Sequence, residues 1–300
     1  MFAATVAGVL VGAAIVASRF VVAQVPPLTL AMLRYAVGFL CLLPFAWSAL
    51  TARSAQARPQ PSVGRSRPHD LLAMAALGIG QFGVLIALLN YGLQRVGAAQ
   101  AAMLFSLFPL LTLLLAAALG REQVTPSLVL GVLLSLAGVG LALVPKLGAG
   151  PEDGGWWGEA AIVAAAGTGA LCSVLYRPYL QRYPTVPVSA FAMLASVAVL
   201  AVMALAEGWP ARVMALGGTA WAVVGFIGFS SGLGYFLWLY ALKHESPTRV
   251  TVFLALNPVT AALLGAWLLH EPFTPWAGAA LTFVAAGLWL ATRPLPPAQR

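Results

Sequence analysis

Ten runs of about 20 mainly apolar residues follow one another along the chain, separated by short connections rich in Pro, Gly and Arg. A helix that crosses a bilayer needs about 20 such residues. Charged residues make up only 8% of the chain, against roughly 25% in soluble domains, too few to cover a water-exposed surface. The pattern predicts an all-α polytopic membrane protein with ten transmembrane helices. The predicted spans are Phe2–Val22, Leu28–Leu50, Leu71–Leu93, Ala98–Leu119, Ser127–Val144, Trp157–Tyr176, Pro187–Ala206, Ala220–Leu242, Thr248–Leu269 and Pro275–Thr292.

Basic residues outnumber acidic ones, sixteen Lys and Arg against eight Asp and Glu, which gives a formal charge of +8. Nucleic-acid binding proteins cluster such residues on one solvated face. Here they lie mostly at the ends of the apolar runs, as membrane topology requires, so no nucleic-acid partner is predicted. Cys41 and Cys172 lie inside apolar runs and form no CxxC pair, so neither a disulfide framework nor a thiol metal site is expected. No cofactor is predicted.

The Lys and Arg residues are distributed unequally between alternate connections. With a cytoplasmic N-terminus, eleven of them lie on the cytoplasmic side and three on the other side. Cytoplasmic loops carry the excess of Lys and Arg, so both termini are predicted to be cytoplasmic. The longest connection, Thr51–His69, is rich in Arg, Pro and Ser and is predicted to be a flexible cytoplasmic loop.

The two halves of the sequence repeat one another. With an offset of 149 residues, Leu77–Gly138 lies on Phe226–Gly287 without a gap. Because each half holds five spans, the second half crosses the bilayer in the opposite sense. The predicted architecture is two inverted five-helix repeats, residues 1–146 with the loop 51–69, and residues 155–300. The matched pairs include Gly83/Gly232, Tyr91/Tyr240, Pro109/Pro258, Glu122/Glu271, Thr125/Thr274, Pro126/Pro275 and Gly138/Gly287.

Several motifs resemble a known family. Val16-Ala17-Ser18-Arg19, Val25-Pro26-Pro27-Leu28 and Leu33-Arg34-Tyr35 are similar to the first hairpin of EamA-type transporters of the drug/metabolite transporter superfamily. Leu104-Phe105-Ser106-Leu107-Phe108-Pro109 resembles the fourth-helix pattern of that family, and Ala255-Leu256-Asn257-Pro258 is its second copy. The resemblance implies a ten-helix carrier of the bacterial inner membrane, commonly an exporter of amino acids, other metabolites or drugs.

Two prolines, Pro109 and Pro258, lie near the middle of equivalent spans. Proline removes a backbone hydrogen bond, so each helix is predicted to kink or open there. At mid-membrane a freed carbonyl is tolerated against protein or a water-filled cavity. Both kinks are therefore predicted to border one central site, with a kink for packing alone as the alternative.

Polar side chains near mid-span converge on the same helices. Gln81, Ser106 and Asn257 lie near mid-span, and the two amides should face the interior of the bundle, because an amide is costly in hydrocarbon. Ser231, Tyr235 and Trp238 follow i, i+4, i+7 spacing and share one helix face. All six are predicted to contact a small-molecule substrate. The alternatives are interhelical hydrogen bonding for the amides and interfacial anchoring for Trp238.

Arg19 and Arg34 are the basic residues that fall within the predicted spans. Both are candidates to bind or orient an anionic group, such as a substrate carboxylate, and Arg34 is included in the predicted substrate site. The alternative for both is that the long stems extend to the outer interface. Depth in the bilayer decides between these interpretations.

The paired glutamates Glu122 and Glu271 precede Thr-Pro helix starts, where a carboxylate favours the positive end of the next helix. A structural role is predicted, with proton coupling as the alternative. The three histidines lie at connections without metal-ligand spacing, so the chain is not predicted to be an enzyme. The sequence predicts a secondary transporter that works by alternating access. A channel or facilitator is the alternative, and the oligomeric state is not predicted.

Overall fold

The computed structural model describes residues 2–55, 68–120, 125–147, 155–183, 185–244, 256–270 and 274–291. Within these ranges the chain is helical and forms no strand. A π-helical turn, Ile79–Val84, joins α3 to α4, and a 3-10 turn, Ala204–Glu207, follows α9. The helices are α1 Phe2–Val21, α2 Pro27–Ala55, α3 Pro68–Gly78, α4 Leu85–Leu93, α5 Ala98–Phe105, α6 Leu107–Ala118, α7 Pro126–Leu147, α8 Trp157–Arg182, α9 Thr185–Met203, α10 Trp209–Met214, α11 Gly218–His244, α12 Leu256–Leu268 and α13 Pro275–Ala291.

Proline and glycine set several of the helix ends. Pro27, Pro126 and Pro275 begin α2, α7 and α13, where the missing N–H costs nothing because that group has no partner inside the helix. The Thr274 hydroxyl accepts a hydrogen bond from the Ala277 amide at 3.2 Å, as expected of a residue that caps a helix. Gly120 follows α6 with a φ of 67°, which a residue without a Cβ adopts readily.

Six helical segments are long and apolar enough to cross a membrane. Three shorter apolar helices accompany them, at Thr5–Val21, Val129–Ala142 and Pro275–Gly287. Large hydrophobic side chains such as Leu133, Leu263 and Trp267 are exposed on the outside of the bundle, where lipid would cover them. The chain is therefore a multi-pass integral membrane protein. The six long segments are Pro27–Pro44, Pro68–Leu93, Ala98–Ala118, Trp157–Leu180, Val186–Glu207 and Gly218–Trp238.

Some predicted boundaries were wrong. The loop predicted at residues 51–69 is shorter, because α2 continues to Ala55 and α3 already begins at Pro68. Ala and Arg favour a helix without any help from lipid, so the helix outlasts the apolar run. Residues 56–67 lie outside the described ranges, as do Glu122 and Glu271.

The helices pack as a bundle in which small residues allow close approach. The main neighbours are α7 with α13, α1 with α11 and α12, α2 with α9 and α11, and α8 with α4 and α6. A methyl group at Gly232 would lie 2.9 Å from the Gly38 carbonyl oxygen, so α2 and α11 touch backbone to backbone. A methyl group at Gly138 would lie 2.9 Å from the Ala280 carbonyl oxygen. A methyl group at Gly287 would lie 2.6 Å from the Gly131 carbonyl oxygen.

Two carboxylates connect distant segments. Glu207 accepts hydrogen bonds from the backbone amides of Leu28 and Thr29, at 3.0 and 2.8 Å, and from the Thr29 hydroxyl at 2.7 Å. These amides belong to the first turn of α2, which has no partners of its own for them. At the other end of α9, the Tyr183 hydroxyl donates to the Asp70 carboxylate at 2.8 Å. Both contacts join an element before residue 120 to one after residue 180.

Candidate functional site

A cavity of about 90 Å³ lies inside the bundle, between α1, α2, the π-helical turn, α4 and α11. Its wall is mostly aliphatic and aromatic, with phenylalanines of α5 and α6 at one side. Four polar side chains without an aromatic ring line it as well, Arg34, Gln81, Ser230 and Ser231, besides Tyr35, Tyr235 and Trp238. A concave, mainly apolar wall with a few convergent polar groups is the usual form of a small-molecule site.

Arg34 lies two turns into α2, and its side chain is 4% exposed. Nε donates a hydrogen bond to the Ser231 hydroxyl at 2.6 Å, and Ser231 in turn donates to the Ile227 carbonyl oxygen at 2.5 Å. Nη1 is buried, and no other residue in the described ranges forms a hydrogen bond with it. The side chain therefore points into the bundle and leaves one guanidinium nitrogen free beside the cavity.

Gln81 lies on the π-helical turn Ile79–Val84. Single π-helical turns are frequent at functional sites, because the extra residue re-aims side chains and frees backbone groups. The Gln81 Oε1 atom is buried without a partner, and the next residue, Phe82, also lines the cavity. Sequence reasoning did not predict this turn, and the glycines at positions 78, 80 and 83 are the one signal of an irregular helix there.

Three aromatic rings form one wall of the cavity. The Phe82 ring lies between Tyr35 and Tyr235, with centroid distances of 4.7 and 4.5 Å and interplanar angles of 60° and 74°. Tilted and edge-to-face contacts of this kind are favourable for aromatic pairs. Tyr35 and Phe82 were not among the predicted site residues, because nothing in the sequence indicates that α2 and the π-helical turn meet.

The side of α11 that residue spacing predicted to carry the site residues lies against the cavity. Ser231, Tyr235 and Trp238 all line the wall, and Trp238 is buried, so it is not an exposed interfacial anchor. Ser230 lines the wall too, and its hydroxyl oxygen is buried without a partner. Whether these residues bind a solute stays a prediction.

Two predicted site residues lie away from this wall. The Ser106 hydroxyl donates to the Met103 carbonyl oxygen at 2.5 Å, within its own helix turn. Asn257 is 2% exposed on α12, and its Oδ1 atom has no hydrogen-bond partner among the described residues. A methyl group at Gly12 would lie 2.8 Å from the Asn257 carbonyl oxygen, so α1 passes directly over this residue.

The two prolines differ in what surrounds them. At Pro109 the helix is interrupted, because α5 ends at Phe105 and α6 begins at Leu107. Proline has no N–H for the carbonyl four residues earlier, which here belongs to Phe105. Pro258 lies in the first turn of α12, and the residues before that helix are outside the described ranges.

Arg19 has a structural partner. Its Nη1 atom donates to the Leu93 carbonyl oxygen, the last residue of α4, at 2.5 Å. A cation at the C-terminal end of a helix satisfies a carbonyl and opposes the negative end of the helix dipole. The side chain is half-buried and does not line the cavity.

The family model for the EamA-like transporter family matches residues 1–144 and 156–293, and the chain belongs to this family. The match covers most of the sequence in two consecutive copies.

Curated relatives are also named as transporters. The chain is 29% identical over 232 residues to an uncharacterized transporter of Archaeoglobus fulgidus, which covers 76% of this chain and 80% of that protein. It is 27% identical over 234 residues to a probable terminal-alkyne amino-acid exporter of Streptantibioticus cattleyicolor, covering 77% and 76%. A protein crystal structure shares the fold with a TM-score of 0.66 at 22% identity, over 96% of this chain and 94% of that one.

Proposed function

We propose that this chain is a secondary active transporter that exports a small metabolite, such as an amino acid or a related compound, or a drug. The observation that carries the proposal is the cavity between α1, α2 and α11, whose wall holds unpartnered polar atoms inside an otherwise apolar bundle. In an EamA-family chain a site of this kind fits a solute in transit. The exporter of Streptantibioticus cattleyicolor supports a solute related to amino acids.

The solute contacts in this proposal are Arg34, Gln81, Ser231, Tyr235 and Trp238, all of which line the cavity. Arg34 would bind a negatively charged group through its free Nη1 atom. Gln81 and the α11 hydroxyls would fix the polar part of the solute, and the aromatic rings would contact its apolar part.

Ser106, Asn257 and the two prolines belong to the proposed site as predicted from the sequence. Ser106 lies between α5 and α6, which contribute Phe105 and Phe108 to the cavity wall, and Asn257 lies on α12, which packs against α1. Contact with the solute would require these helices to turn toward the cavity during transport.

The mechanism we propose is alternating access between two inverted repeats. The contacts between α7 and α13 support the repeat, because Gly138 meets Ala280 while Gly287 meets Gly131. The offset of 149 residues relates Gly138 to Gly287 and Gly131 to Ala280, so each contact is the repeat equivalent of the other. Likewise, the packing of α1 on α11 has its counterpart in that of α8 on α4. Reciprocal contacts of this kind are what a two-fold axis produces.

The proposed location is a bacterial inner membrane with both termini in the cytoplasm, which the distribution of Lys and Arg supports. The proposal of export rather than import rests on the named exporter among the relatives. For Glu122 and Glu271 the proposed role is structural, with proton coupling as the alternative.

A two-stage experiment tests the carrier. The purified chain is first screened against a metabolite library by thermal shift, because a compound that binds the folded protein raises its apparent stability. Each hit is then loaded as a labelled solute in proteoliposomes, with unlabelled solute on the opposite side. A carrier shows saturable flux that the opposite-side solute accelerates. Flux that rises linearly and ignores the opposite side would favour a channel, and chemical conversion of the hit would favour an enzyme.

A further inference from the structure

The charge on the cavity wall determines which ligand charge the cavity favours. Arg34 is the one charged side chain among the described residues that line it. The guanidinium is nearly fully buried, donates a hydrogen bond to Ser231, and has no partner for Nη1 among the described residues. A buried cation is costly unless a negative charge accompanies it. A bound monoanion supplies that charge and a hydrogen-bond acceptor together.

A second unpartnered group belongs to the residue next to Ser231 on α11, and this residue also lines the cavity. Ser230 is adjacent to Ser231, is 2% exposed, and its hydroxyl has no partner within the part of the chain that the structure describes. The hydrogen bond from Arg34 to Ser231 brings the guanidinium to this level of α11. A carboxylate has two oxygens, so one can accept from Nη1 of Arg34 while the other accepts from the hydroxyl of Ser230.

The third unpartnered group is a hydrogen-bond acceptor rather than a donor. Gln81 Oε1 is a hydrogen-bond acceptor, and it is buried without a donor. A carboxylate cannot satisfy it, because an ionised carboxylate only accepts. A ligand that also carries a hydroxyl or an N–H group would supply that donor.

We infer that the site takes a compact monocarboxylate with a hydroxyl near the carboxylate, in preference to the zwitterionic amino acid of the same shape. An amino acid would bring an ammonium group, and the described part of the wall offers it no carboxylate. The hydroxyl of a hydroxy acid satisfies Gln81 without a second charge. The cavity of about 90 Å³ is smaller than the roughly 150 Å³ that admits benzene, which restricts the ligand to a few carbon atoms. This inference rests on the proposed carrier function and narrows its substrate.

Four probes of nearly equal size separate the contributions. Lactate has the carboxylate and the hydroxyl, propionate lacks the hydroxyl, alanine replaces it with an ammonium group, and lactamide replaces the carboxylate with a neutral amide. Binding is measured by calorimetry on the full chain in nanodiscs, at a pH where the acids are ionised. Lactate should bind about tenfold more tightly than propionate or alanine, since one well-made hydrogen bond or one unpaired group is worth about a factor of ten. Lactamide should bind most weakly.

Variants assign each preference to a side chain. Arg34→Gln should remove the preference for lactate over lactamide, whereas Arg34→Lys should retain part of it. Gln81→Leu should bring lactate and propionate to equal affinity without weakening propionate. Ser230→Ala should weaken both carboxylates by several-fold. Ser196→Ala is the matched control, because that hydroxyl is also buried and unpartnered but lies on α9, outside the cavity wall.

Binding and transport flux are measured separately, so the results that contradict the ligand class differ from the results that contradict the carrier function. Equal or tighter binding of alanine than of lactate overturns the monocarboxylate inference, as does an unchanged lactate-to-lactamide ratio in Arg34→Gln. After either result, exchange of another solute that is accelerated by solute on the opposite side would still support the proposed carrier function. Selective lactate binding without saturable flux in proteoliposomes would support the ligand class and overturn carriage. No binding by any probe also overturns the ligand class.

Discussion

The contact between Glu207 and the first turn of α2 makes a quantitative prediction about stability. Glu207→Ala removes the acceptor of three hydrogen bonds, from two backbone amides and the Thr29 hydroxyl. Loss of a helix cap costs about 0.5–2 kcal/mol, and a hydrogen bond to a charged group contributes about 1.5–3 kcal/mol. Glu207 is half-exposed, which screens its charge, so we expect a loss of about 2–4 kcal/mol in the free energy of unfolding.

Thr29→Val separates the hydroxyl from the two amides. Valine keeps the shape and both backbone donors, and it deletes only the bond from the hydroxyl to Glu207 Oε2. The expected loss is about 1–2 kcal/mol. Thr282→Val is the matched control, because that exposed threonine donates to a carbonyl of its own helix at 3.0 Å. It should change stability by less than about 0.5 kcal/mol.

The assay is equilibrium unfolding in mixed micelles, followed by tryptophan fluorescence, on the two single variants and the double variant. The Thr29 hydroxyl acts through Glu207, so the two losses should not add, with a coupling of about 1 kcal/mol. Strict additivity, or losses no larger than that of Thr282→Val, would refute the assignment of Glu207 as the cap of α2.

Three further predictions concern helix contacts and the site. Gly138→Val should lower stability by about 1–3 kcal/mol in the same unfolding assay, because the added side chain meets the α13 backbone, whereas Gly140→Val has open space and should be neutral. Arg19→Gln should lower stability by about 1 kcal/mol through loss of the charged cap on α4, with amide exchange increasing first at the end of that helix. If Asn257 contacts the solute during transport, Asn257→Ala should raise KM without reducing the amount of protein in the membrane; unchanged kinetics would remove it from the site.

Part of the candidate site could be predicted because helical periodicity is local. Ser231, Tyr235 and Trp238 share a face by spacing alone, and that face lines the cavity. Gln81 was predicted to face the interior because an amide is costly in lipid, and it also lines the cavity. Its mid-span position placed Ser106 in the predicted site as well, but its hydroxyl donates to the Met103 carbonyl oxygen three residues earlier in the chain. A serine can satisfy itself in this way, so its polarity alone does not predict a ligand contact.

The sequence by itself determined that this chain spans a membrane many times, because the bilayer requires apolar runs of fixed length and those runs are visible without any fold. It also determined the internal repeat, which follows from identical residues at one offset. Only the tertiary structure decided which side chains meet. The hydrogen bond from Arg34 to Ser231 joins residues 197 positions apart, and the cap by Glu207 joins residues 178 positions apart. Composition and periodicity carry no information on such pairs, because the packing of whole helices brings them together.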